Sequence, residues 1–181
     1  MGHYLSAVGS SVVALAFVVD VSGLGPAFVA FSAVIFPALI FLGAMTLIRI
    51  VQIGLSDASL VKGINRIRHA YLEIVPEAEV YFSYPPYDDP DAVQDTMMPF
   101  RHPLQGFAST PGPVILINSV LTGAFASILV AGLLSAPPLL AIMVGLVALV
   151  LALGAHIAWN WRIWTRVARQ EQEVRFPTPE D

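Results

Sequence analysis

Asp20, His156 and Asn160 are ionisable or strongly polar residues set among apolar neighbours, in "LAFVVDVSGLG" and "ALGAHIAWNW". Groups of this kind are costly in an apolar medium, so they mark an ion or proton route unless they cap a helix or bond to a neighbouring one. His156 and Asn160 lie one helical turn apart and share a face. Asn118 stands in the first turns of another apolar stretch. Asp20, His156 and Asn160 therefore form a candidate ion path. The plainer alternative makes Asp20 a headgroup-level cap and leaves His156 and Asn160 to bond adjacent helices.

A second cluster, Asp88, Asp89, Asp91 and Asp95 in "YPPYDDPDAVQD", invites a calcium reading. An EF-hand loop needs a glycine at its sixth position and a bidentate glutamate at its twelfth, and neither is here. Helix chemistry explains the same residues. Asp89 is an N-cap, Pro90 the first helical residue and Asp91 a favourable anion in the first turn of a short helix ending by Pro99. There is no HExxH, no GxSxG and no phosphate-binding glycine loop. With no cysteine, thiolate chemistry is also excluded. We expect no catalytic residue, no cofactor and no metal site, and basic residues too few for nucleic acid.

The elements that carry these residues follow from composition. Hydrophobic residues make up 56% of the 181 and charged ones 12%, against about 25% charged in soluble domains. Crossing a hydrocarbon core takes ~20 helical residues. Four stretches suffice, at about 4–24, 27–48, 114–134 and 139–161. "SGLGP" and "SAPP" join them in pairs, with the Gly and Pro that tight turns require. The expected fold is an all-α membrane protein: two transmembrane hairpins with a cytoplasmic amphipathic helix and loop between them. Its segments are a first hairpin at 1–54, the helix and Pro/Asp-rich loop at 55–112, a second hairpin at 113–164, and a basic helical extension with a disordered tail at 165–181.

All nine Lys and Arg fall on one side of this arrangement: Arg49, Lys62, Arg66, Arg68 and Arg101 between the hairpins, and Arg162, Arg166, Arg169 and Arg175 after the last span. Positive flanks stay in the cytoplasm, so both termini are expected inside. Trp159, Trp161 and Trp164 sit beside Arg162 and Arg166, where indoles collect at headgroup level. Small residues recur at i+4 steps, Ser6, Ser10 and Ala14 in the first span and Gly123, Ser127 and Ala131 in the third, which allows close helix packing or an oligomer contact.

From Lys62 to Glu79 the chain reads "KGINRIRHAYLEIVPEAE". Leu60, Val61, Ile64, Ile67, Tyr71, Ile74 and Val75 form an apolar face, opposed by Lys62, Arg66, His69 and Glu73. Asp57 or Ser59 is the expected N-cap, and Pro76 ends the run. Such a helix either lies on the inner leaflet or continues the second span outward and packs its apolar face on copies of itself or on the C-terminal helix. Lys62, Arg66, Arg68, Arg162 and Arg166 are the expected contacts to anionic lipid or a partner.

"INRIRHAYLEIVPEAEVYF", after "LIRIVQIGLSD" and before the Asp-rich loop, resembles a group of uncharacterised bacterial, actinobacterial-type membrane proteins. The resemblance extends from the first hairpin through "ILINSVLTG". It implies a bacterial cytoplasmic membrane and carries no activity or site residue. The leading expectation is a homo-oligomeric assembly in membrane lipid, extending to a small channel or pore with a cytoplasmic helical collar. The alternative is a non-conducting scaffold or sensor whose cytoplasmic helices bind a partner or anionic lipid.

Overall fold

Apolar runs without internal breakers become helices wherever the chain is long enough, and this chain is helical throughout its regular structure. A computed structural model describes residues 2–23, 25–98, 111–170 and 173–179. Its helices are α1 (Gly2–Ser22), α2 (Pro26–Ile74), a 3₁₀ turn (Pro76–Tyr81), α3 (Pro90–Met97), α4 (Pro111–Leu133) and α5 (Pro138–Gln170). No strand occurs among the described residues. α1, α2, α4 and α5 are each long and apolar enough to cross a membrane. This is a multi-pass membrane protein by length and composition. Part of the proline-rich loop, 99–110, including Arg101, lies outside the described residues.

Local rules account for most of the boundaries. α1 stops at a glycine in the left-handed region, Gly23 at φ 61°, whose N–H returns to the Val19 carbonyl at 2.8 Å, a helix C-cap that costs glycine little. Pro76 ends α2 at Ile74, pushing Val75 out of helical geometry. α3 begins as expected. Asp89 accepts from the N–H groups of Asp91 and Ala92 at 3.1 and 3.0 Å, with Pro90 at the first helical position.

The amphipathic stretch continues the second apolar helix, one of the two placements open to it from sequence. α2 is one helix of 49 residues, so the boundary drawn at 54/55 falls inside it and neither Asp57 nor Ser59 is an N-cap. The reason is local: between Arg49 and Leu60 there is no proline, and the single Gly54 costs only about 1 kcal/mol against alanine. The 3₁₀ turn after Pro76 was not anticipated.

The chain divides into two compact units, one from 1–50 and 106–160, the other from 51–105 and 161–181. The first has its core at Phe36, Leu39 and Leu121, with Phe36 stacked on Phe125 at 5.7 Å. α4 meets α5 where Gly123 and Ser127 face Gly145. A Cβ on Gly145 would come within 2.8 Å of the Gly123 carbonyl and 2.9 Å of Ser127 Cβ. The Gly123, Ser127 stripe thus serves packing within the unit. Ser6 and Ser10 remain exposed. In the second unit Gly54 packs against the Trp164 ring.

Candidate functional site

In the first unit, polar side chains from three helices converge. Tyr4, Asn118 and Ser119 are buried, with His156 half-buried beside them. The bonding has a direction. His156 Nδ1 lies 2.7 Å from the Ala152 carbonyl. A carbonyl only accepts, so that nitrogen carries the proton. Nε2 of the neutral ring is then an acceptor, and Asn118 Nδ2 donates to it at 3.3 Å. Asn118 Oδ1 in turn accepts a long bond from the Tyr4 hydroxyl at 3.5 Å. Ser119 Oγ donates to the Ile115 carbonyl at 2.7 Å and lies 3.4 Å from His156 Nδ1. Gly43 on α2 closes the cluster: a Cβ there would collide with Asn118 Oδ1 and come within 2.8 Å of the Tyr4 hydroxyl.

Of the expected ion path, His156 belongs to this cluster. Asn160 is near by sequence, and its Oδ1 is buried without a hydrogen-bond partner; Ser32 Oγ, also buried, shares that condition. Asp20 is exposed on α1, 16 positions beyond Tyr4, or about 24 Å at ~1.5 Å per residue. The structure therefore keeps Asp20 well apart from His156, as two mouths of one path would be. The plainer reading of His156, as a bond to a neighbouring helix, describes its contact with Asn118. Tyr4 and Ser119 were not singled out from sequence, although a tyrosine and a serine in the first turns of apolar spans are the type of residue that closes such bonds.

The second unit is organised around Asp88, whose side chain is fully buried. Arg66 Nε donates to Asp88 Oδ2 at 2.7 Å, the Arg175 N–H reaches both oxygens at 3.0 and 3.1 Å, and the Phe176 N–H reaches Oδ1 at 2.8 Å. The Asp88 N–H donates back to the Phe176 carbonyl at 3.0 Å. Asp89 Oδ2 accepts from the Thr178 hydroxyl and N–H at 2.6 and 2.8 Å. Arg66 also donates to the Glu173 carbonyl, and His69 stacks on Phe176 at 3.9 Å. Residues 173–179 are thus held down. They depart from the expectation of a disordered tail, because two aspartates present acceptors to their N–H groups.

The electrostatics agree with this geometry. Burial by itself raises the Asp88 carboxyl, but the N–H groups of Phe176 and Arg175 and the Arg66 guanidinium outweigh it and hold it below the usual carboxylate value. Burial likewise raises Asp89, and the Thr178 hydroxyl with the N–H groups of Ala92, Thr178 and Asp91 brings it below that value. Neither carboxylate is arranged as a free ligand. No group of three or more His, Asp or Glu suited to a metal occurs among the described residues.

The residues expected to meet lipid or a partner divide. Arg66 is engaged with Asp88 and Glu173, and Arg68 donates to Asn65 Oδ1 at 2.7 Å and lies over the Tyr84 ring. Buried Asn65 donates to the Tyr87 carbonyl at 2.8 Å. Arg162 and Arg166 are exposed. The loop and tail thus engage Asn65, Arg66, Arg68 and His69 of α2, while Leu60, Ile64, Ile67, Tyr71 and Ile74 stay between 47% and 80% exposed, Tyr71 with its ring edge-on to Phe82. No family model, curated protein or solved structure matches the chain.

Proposed function

We propose that the protein acts as a homo-oligomeric assembly in a bacterial cytoplasmic membrane, with both termini inside and the second half of α2 belonging to a helical collar at the cytoplasmic surface. One observation carries this reading: the loop and tail engage Asn65, Arg66, Arg68 and His69 of α2, while its apolar face is left open. An apolar patch of several hundred Å² outside the hydrocarbon marks an interaction surface. Attachment to anionic lipid would need the cations free, and Arg66 and Arg68 are already bonded within the chain. Headgroup contact remains the reading for Arg162 and Arg166, exposed beside Trp161. Transport through the assembled copies is an extension of the same reading, with His156 as the polar group at membrane depth.

Native mass spectrometry of the full chain, released from nanodiscs or mild detergent, tests the assembly. Several copies per particle are expected. A particle holding one copy across the accessible concentration range overturns it.

A further inference from the structure

The exposed face of α2 has a second property besides being apolar. Leu60, Ile64, Ile67, Tyr71 and Ile74 follow one another at intervals of 4, 3, 4 and 3. That alternation averages the 3.5-residue repeat by which helices mate knobs-into-holes, with Ile64 and Tyr71 at the a positions and Leu60, Ile67 and Ile74 at d. The stripe belongs to one uninterrupted helix that also contains an apolar spanning window. At 49 residues and ~1.5 Å each, α2 is about 70 Å long, more than twice the roughly 30 Å of a hydrocarbon core. That is more helix than one crossing of the core needs.

We propose that these five residues form the seam of a parallel bundle of three or more copies of this chain. The inference rests on the homo-oligomer reading above and adds the face, the direction and the number. A second copy is the occupant because copies inserted the same way present the same stripe in parallel, at the same depth. The number follows from the seam chemistry. Isoleucine at both a and d, as at Ile64, Ile67 and Ile74, favours three or four strands over two. Among the flanking positions, Gly63 and Ala70 at g are small and Val61 and Val75 at e are apolar, where a wider bundle buries e and g, while Arg68, the e position between them, is turned onto Asn65 and the Tyr84 ring. A stable interface buries about 800 Å² per partner, more than five side chains supply. Contacts within the membrane supply the remainder, and tethering in the bilayer raises the effective concentration. One turn before Leu60, the exposed Asp57 occupies the next a position. Like carboxylates brought to one axis repel, so the apolar seam stops there.

The absence of cysteine makes the test direct. Single cysteines are placed at Leu60, Ile64, Ile67 and Tyr71, and at the exposed off-seam Ser59 and Glu73, in full-length protein in native membranes. Oxidative cross-linking between copies is expected to be higher at the seam positions than at Ser59 and Glu73, because seam residues face one another across the bundle, with three or more copies by native mass spectrometry. Asp57→Leu should lengthen the seam and raise the yield at Leu60. Several copies with a flat cross-linking profile would overturn the seam and leave the assembly standing, whereas single copies would overturn both. A particle of two copies cross-linked at the seam would overturn the number. Quenching of a bimane at Ile67 by brominated lipid would show that the bilayer surface covers the stripe instead.

Discussion

The two units bury polar groups in opposite ways. Around His156 the bonds between helices are between uncharged groups and long, 3.3 Å from Asn118 to the ring and 3.5 Å from Tyr4 to Asn118, while the short ones, at 2.7 Å, return to the helices' own carbonyls. Around Asp88 they are ionic and short, with one carboxylate receiving a guanidinium and two backbone N–H groups. Under the function proposed above, with the second unit at the cytoplasmic surface, the contrast follows from the medium. In hydrocarbon an unpaired charge has nowhere to go, and interhelical bonds among neutral groups contribute only about 0.6 kcal/mol on average. In the second unit, an anion that several donors surround is held in its ionised form, and losing it strands those donors. The first unit gains shape from its polar cluster, and the second gains attachment of the chain's end.

Removing the central anion should separate the units most sharply. Asp88→Ala leaves Arg66 and the N–H groups of Arg175 and Phe176 without their acceptor, a loss of about 3 kcal/mol for a buried pair that is partly open on the arginine side. The expected result is rapid protease cleavage within 173–179 in proteoliposomes while the spans stay protected. Unchanged cleavage would mean that the clamp does not depend on Asp88.

Acid should act on the same bonds less completely. Both Asp88 and Asp89 have carboxyls held below the usual value in the folded chain. Their contribution to stability is therefore fully present above the ordinary aspartate value near 3.9 and is lost as pH falls through the lower folded value. Tail protection should be flat from neutral pH down to about 4 and drop below it. A drop between pH 6 and 7 would point to a histidine instead.

The smallest effect is expected in the first unit. Gly43→Ala forces a methyl against Asn118 and Tyr4, and overpacking of this kind costs about 1–2 kcal/mol. The free energy of unfolding in mixed micelles should fall by that amount, with tail cleavage unaltered. A rise in stability would show that Asn118 gives way easily and that the cluster is loosely held.

Parts of both regions were legible from sequence, and the parts that were not share a cause. The cap at Asp89, Pro90 at the start of α3 and the stop at Pro76 depend on residues within a few positions of one another. The continuity of α2 was also within reach, since nothing between Arg49 and Leu60 breaks a helix. Asp57 and Ser59 misled because residues that suit a cap also occur within helices. Tyr4 with Asn118 could not be read in the same way, being 114 positions apart, nor Asp88 with Arg175, at 87. Nor could the engagement of two expected lipid or partner contacts be read: Arg66 bonds to Asp88 and the Glu173 carbonyl, and Arg68 bonds to Asn65 and lies over the Tyr84 ring.

By itself, the sequence determined the class of this protein. Apolar runs of spanning length have one low-energy state in lipid, a helix with its backbone bonds satisfied internally. Composition and local stereochemistry therefore suffice for the four long helices, their capped ends and the amphipathic stripe. Only the tertiary structure decided which polar groups meet, that the tail closes on Asp88 and Asp89, and which face of α2 stays open. Those outcomes depend on segments far apart in the chain reaching each other with donors and acceptors aligned, and no local pattern encodes that alignment.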